Sequence, residues 1–132
     1  MNPPEDMLKL ASQAKDNAYT PYSKFHVGAC VRTESGELYA GCNVENASYT
    51  LTIHAEGNAV GSMVADGHTK IAEVLIVIDG DMICPPCGAC RQLLHEMTSD
   101  DTVFHLCNTA GNYKTLTMAE LMPFPFGSDY FM

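Results

Sequence analysis

Basic side chains are scarce in this sequence: seven Lys and Arg stand against sixteen Asp and Glu, for a formal charge of −9. An acidic surface repels phosphate backbones, and nucleic-acid binders usually show a basic face. A polynucleotide substrate is therefore disfavoured, and no nucleic-acid partner is expected. Long apolar runs are absent too. Nothing approaches the roughly 20 residues that span a bilayer, so no membrane association is expected. The longest run, Val74 to Ile78, reads as a buried strand. The N-terminal MNPPEDMLKL has acids where a signal peptide has basic residues, and no apolar segment follows. The protein is therefore expected in the cytoplasm. Internal repeats, low-complexity tracts and linkers are also missing. The 132 residues fit one compact domain, 1–132, and a 46% hydrophobic share suffices for an ordinary core.

What is present alternates between helical and strand periodicity. After Pro3 and Pro4 a helical pattern runs to about Ala18, with Met7, Leu10, Ala11 and Ala14 on one face. Thr20-Pro21 ends it. His26 to Thr33 and Glu37 to Asn43 read as a hairpin around Glu34-Ser35-Gly36. His54 to Ala65 reads as a helix closed by Asp66-Gly67. Val74 to Ile78 is apolar enough to be covered on both faces. Gly88 to Met97 reads as a helix, Thr102 to Cys107 and Tyr113 to Thr117 as strands, and Met118 to Met122 as a short helix. The order predicts an α/β fold, a three-layer α-β-α sandwich with a mixed five-stranded sheet.

Six cysteines in a reducing compartment are not expected to pair. Cys84, Cys87 and Cys90 are spaced for a metal or a redox thiol pair instead. Upstream lies His54-Ala55-Glu56, and the later segment is Pro86-Cys87-Gly88-Ala89-Cys90. Catalytic zinc commonly takes three nitrogen or sulfur ligands and leaves a fourth position open. His54, Cys87 and Cys90 supply one imidazole and two thiolates, enough to balance the dication. Residues two apart in mid-helix point about 200° apart. His54 and Glu56 therefore face one centre only if the metal lies beyond the helix end, in front of two helix N-termini. The partial positive charge there favours thiolate at Cys87 and Cys90. Glu56 is left as the proton shuttle beside the metal. A closed structural site would need a fourth ligand. Cys84 is the nearest, but Pro85 and Pro86 stiffen the turn between the two sulfurs.

The H-x-E…P-C-x-x-C pattern is the signature of zinc deaminases, and the sequence resembles the small, homotetrameric cytidine deaminases over nearly its whole length. The matching segments include Pro21-Tyr22-Ser23-Lys24-Phe25, Gly41-Cys42-Asn43-Val44-Glu45-Asn46-Ala47-Ser48-Tyr49, Cys90-Arg91-Gln92 and Pro123-Phe124-Pro125-Phe126. The resemblance implies one Zn2+ per chain and a free pyrimidine nucleoside as substrate. Cytidine and deoxycytidine would become uridine and deoxyuridine with release of ammonia, a pyrimidine salvage reaction. It also implies that Asn43 and Glu45 hydrogen-bond the ribose 3′-hydroxyl and that Phe25 packs on the pyrimidine. The backbone of Ala55 would meet the base, while Tyr49 and Phe126 would reach a neighbouring subunit's site in a homotetramer.

Departures are informative. The short tetrameric enzymes usually have Cys where this chain has His54, and Arg where it has Gly57. Three thiolates leave zinc with a net negative charge that an Arg would offset; with His54 that Arg is not required. Nucleic-acid deaminases share the zinc motif, but the Asn43-x-Glu45 pair and the acidic charge favour a free nucleoside. A zinc-stabilised module with a dead site has no need of Glu56.

Overall fold

Helix α1 (Glu5–Asp16) opens the computed structural model, which describes residues 2–132. Glu5 and Asp6 in its first turn and Lys15 in its last complement the helix dipole. Met7, Ala11 and Lys15, four apart, form its buried face. The helix ends at Asp16, two residues before the expected stop, because the N–H groups of Asn17 and Ala18 turn back to Ala14 and Lys15.

Strands β1 (Val27–Thr33) and β2 (Leu38–Cys42) form the expected hairpin, and Gly36 takes the left-handed backbone its turn requires, at φ 101°. Helix α2 (Ala55–Ala65) leads to β3 (Ile71–Ile78), and α3 (Gly88–His95) leads to β4 (Val103–Asn108). The edge strand β5 (Tyr113–Thr117) and helix α4 (Met118–Leu121) follow. Thr117 and Glu120 close a reciprocal capping box on α4.

The sheet runs β2-β1-β3-β4-β5, parallel between β3 and β4 and antiparallel elsewhere. It is the mixed five-stranded sheet the sequence implies. Helix α1 covers one face, where Met7 and Ala11 meet Cys30, Leu75 and Val77. Helices α2 and α3 cover the other, where Ala59, Met63 and Leu94 meet Ala29, Val31 and Ile76. The alternation of Val74 and Ile76 with Leu75 and Val77 between the two clusters is the period-two signature of a strand buried on both faces. Strand β3 begins three residues before the apolar run that marked it. Its early position Glu73 is polar because it bonds Arg32 of β1 and the buried His105 of β4.

Two glycines set the layer spacing. A Cβ at Gly28 would fall 2.0 Å from the Ala11 carbonyl oxygen of α1. One at Gly41 would fall 2.5 Å from the Ala59 nitrogen and 2.6 Å from the Ala55 oxygen of α2. Gly41 thus lets the start of α2 lie directly against β2. With parallel β3 and β4, the crevice beyond the C-terminal end of β3 is where an open α/β sheet offers a binding site.

Candidate active site

The N-termini of α2 and α3 meet at that crevice. His54 is the N-cap of α2 and Cys87 the N-cap of α3, both with extended backbone, at ψ 159° and 169°. An N-cap residue projects ahead of its helix, so His54 swings away from the spiral that carries Glu56. Cys90 follows in the first turn of α3 and is buried. His54 Nδ1 lies 3.1 Å from Cys90 Sγ and 3.4 Å from Cys87 Sγ. All three ligand atoms lie within 4.8 Å of one another. A tetrahedral zinc with ordinary bond lengths needs nitrogen–sulfur edges of about 3.6 Å. The donor set and its spacing therefore fit zinc with a slight outward adjustment, and no fourth protein ligand joins them among the described residues.

Glu56 stands in the first turn of α2 and is 5% exposed. Burial pushes its carboxyl above the ordinary value, against the opposing pull of its own backbone N–H, His54 and Cys90. The Cys90 thiol departs from the expected helix-terminus effect. Burial, and then the adjacent Glu56 and Cys87, push it upward. Desolvation of a nearly enclosed sulfur outweighs a partial dipole charge; a dication among the ligands reverses that balance.

His54, Ala55, Glu56 and Cys87 border a cavity of about 300 Å³, with Phe25, Asn43 and Glu45 on its other side. Val27, Ile76 and Ile78 supply apolar wall. The segment carrying Asn43 and Glu45 is pinned through Val44, bridged to Tyr19 on one side and Ile53 on the other. Asn43 and Glu45, two apart, both meet the 20–27 loop. Asn43 accepts from Val27 N–H at 3.0 Å and donates to the Phe25 carbonyl at 2.8 Å. Glu45 Oε1 accepts the N–H groups of Tyr22 and Ser23 at 3.0 and 3.1 Å, and Oε2 accepts the Ser23 hydroxyl. These donors, the Ser23 hydroxyl first, hold the Glu45 carboxyl below its ordinary value.

The remaining expected residues lie farther out. Tyr49, 79% exposed, lines an adjoining cavity of about 390 Å³ that shares Ser23, Glu45, Thr52 and His54 with the first. Phe126 borders neither cavity. It stacks on Tyr130 with centroids 5.5 Å apart and is held through its carbonyl by Gln92 at 2.9 Å. Arg91 touches no thiolate: it donates to the carbonyls of Pro86 at 2.8 Å and Leu121 at 2.7 Å. Ser23 and the β3 isoleucines, which also line the cavity, were not singled out as site residues. Only the position of Ser23, two before Phe25 in a matching segment, carried a signal. Thr52 accepts from Asn46 N–H at 3.2 Å and so shapes the loop before the ligand His54.

The family model described as "Cytidine and deoxycytidylate deaminase zinc-binding region" matches residues 1–106. The cytidine deaminase of Halalkalibacterium halodurans is 39% identical over 123 residues, covering 93% of each chain. That of Sporosarcina psychrophila is 37% identical over 125 residues, covering 95% of this chain and 92% of the relative. Among solved structures, cytidine deaminase from Burkholderia pseudomallei superposes with a TM-score of 0.88 at 35% identity, covering 95% of this chain and 100% of the other. The Mycobacterium tuberculosis enzyme superposes with a TM-score of 0.79 at 33% identity, over 92% and 95% of the two chains.

Proposed function

The chain belongs to the cytidine and deoxycytidylate deaminase family, and from that premise we propose that it deaminates free cytidine and deoxycytidine to uridine and deoxyuridine, releasing ammonia. The observation that carries this reading is the convergence of His54, Cys87 and Cys90 with the buried Glu56 on one cavity. His54, Cys87 and Cys90 hold the zinc. Bound there, the ion supplies Lewis acidity that brings water's ionisation toward neutral pH.

Glu56 moves the protons. It takes one from the attacking water and delivers it to N3 of the pyrimidine as the water oxygen adds to C4. It then takes the second water proton from the new C4 hydroxyl and delivers it to the exocyclic nitrogen as the C4–N bond breaks. The water ends as the C4 carbonyl oxygen, the amine leaves as ammonia, and Glu56 is regenerated. Phe25 packs on the ring, the Ala55 backbone meets its edge, and Asn43 and Glu45 take the 3′-hydroxyl.

A neutral nucleoside suits this site better than a nucleotide. Glu45 and Glu56 line the two cavities, and neither Lys nor Arg does, so a phosphate would meet carboxylates without a cation to hold it. The whole chain acts as one domain, in the cytoplasm, in pyrimidine salvage. No helix of the described residues is long and apolar enough to cross a membrane. A homotetramer is supported by Tyr49 and Phe126, aromatic and exposed yet outside the main cavity of their own chain.

The test is zinc quantification followed by ultraviolet assays with cytidine, deoxycytidine, CMP and adenosine. One zinc per chain and loss of only the two cytosine nucleosides is the expected result. Zinc without turnover of any of them would overturn the reading.

A further inference from the structure

Ser23 has no part in the chemistry above, yet it stands where the two cavities meet. Its hydroxyl donates to Glu45 Oε2 and accepts the Phe25 N–H at 3.0 Å. Its own N–H donates to Glu45 Oε1, beside that of Tyr22. Between Ser23 and Phe25 lies Lys24 at φ 60°, the one non-glycine residue with left-handed backbone among the described residues. Such a conformation is costly for a side chain larger than glycine. Here it folds the chain back so that Phe25 N–H reaches the Ser23 hydroxyl.

An ionised carboxylate offers about four acceptor positions. Three donors fill Oε1 twice and Oε2 once. One position is left, on the oxygen that Ser23 holds. We propose that Ser23 is a positioning residue for nucleoside binding: it fixes the Glu45 carboxylate so that its single open acceptor position faces the sugar 3′-hydroxyl. This rests on the reading that Glu45 takes that hydroxyl. The backbone donors reach Oε1 alone and leave the carboxylate able to swing about it; the Ser23 hydroxyl removes that freedom.

The experiment is steady-state kinetics of the zinc-loaded wild type, Ser23→Ala and Ser23→Thr with cytidine and 3′-deoxycytidine. Ser23→Ala is expected to raise KM for cytidine about tenfold, the worth of one charge-assisted hydrogen bond, with kcat unchanged. It should leave the kinetics on 3′-deoxycytidine as in wild type, and Ser23→Thr should restore cytidine binding. Equal losses on both substrates would show that Ser23 serves only the fold of the loop and would overturn the assignment, as would wild-type behaviour of Ser23→Ala on cytidine. A wild-type enzyme indifferent to the missing 3′-hydroxyl would instead overturn the Glu45 reading itself, and the assignment with it. Ser23→Cys, close in shape with a weak donor, carries the same comparison if Ser23→Ala yields too little folded protein.

Discussion

Glu56 and His54, two residues apart, stand differently at the start of α2. His54 leaves the helix at its cap, while Glu56 remains inside the first turn and is buried. Glu56→Gln preserves volume and removes the proposed proton carrier. It is expected to keep zinc and thermal stability while turnover falls by about a thousandfold; zinc content, a melting curve and the ultraviolet assay check all three. The convergence of His54, Cys87 and Cys90 beside Glu56 was legible in the sequence from the His-x-Glu and Pro-Cys-x-x-Cys pattern, and helix geometry placed their common centre. Two residues apart on a helix cannot share a centre unless that centre lies beyond its end. Ser23 was not legible as a carboxylate holder, since its contacts depend on the left-handed turn at Lys24. The upward push on the Cys90 thiol was missed because burial is set by the layers above it, not by local spacing.

At the scale of elements, the type of every helix and strand was readable, and the errors lie at ends. Helix α3 stops at His95 and not at Met97, and β3 starts at Ile71 rather than Val74. Short single turns at Tyr49–Leu51 and Ser128–Tyr130 are too brief to show periodicity. More consequential is how α3 is tied. Arg91 spans the carbonyl of Pro86, the residue before a metal ligand, and that of Leu121, where α4 ends and the tail begins. No other side chain has the two-pronged reach for both. Arg91→Ala is expected to weaken zinc retention about tenfold in a competition with a chromogenic chelator, as losing a group that orients a ligand commonly does. Arg91→Lys should recover only part, because an ammonium holds one carbonyl well and not two.

For the whole molecule, alternating elements were enough to foresee a sheet sandwiched by helices. The assembly is a different matter, because surface aromatics take their meaning from a neighbour. Phe124, Phe126, Tyr130 and Phe131 are exposed on the C-terminal tail, as is Tyr49 in the turn before α2, more aromatic surface than a single chain needs for itself. Sedimentation at micromolar concentration is expected to give a four-chain species. Phe126→Ala should raise KM for cytidine if its ring completes a neighbouring site. A fully active single chain would remove the shared-site reading.

His54 and Cys90 are 36 residues apart, and all of β3 lies between them. An ion bonded at both ends turns that stretch into a closed ring, as a disulfide would, without requiring an oxidising compartment. By the entropy of loop closure a ring of this size contributes about 4 kcal/mol. The ring opens to chelators and is indifferent to reductants. Stripping the metal should therefore lower the melting temperature by roughly fifteen degrees, while a phosphine reductant that binds no zinc should leave it in place.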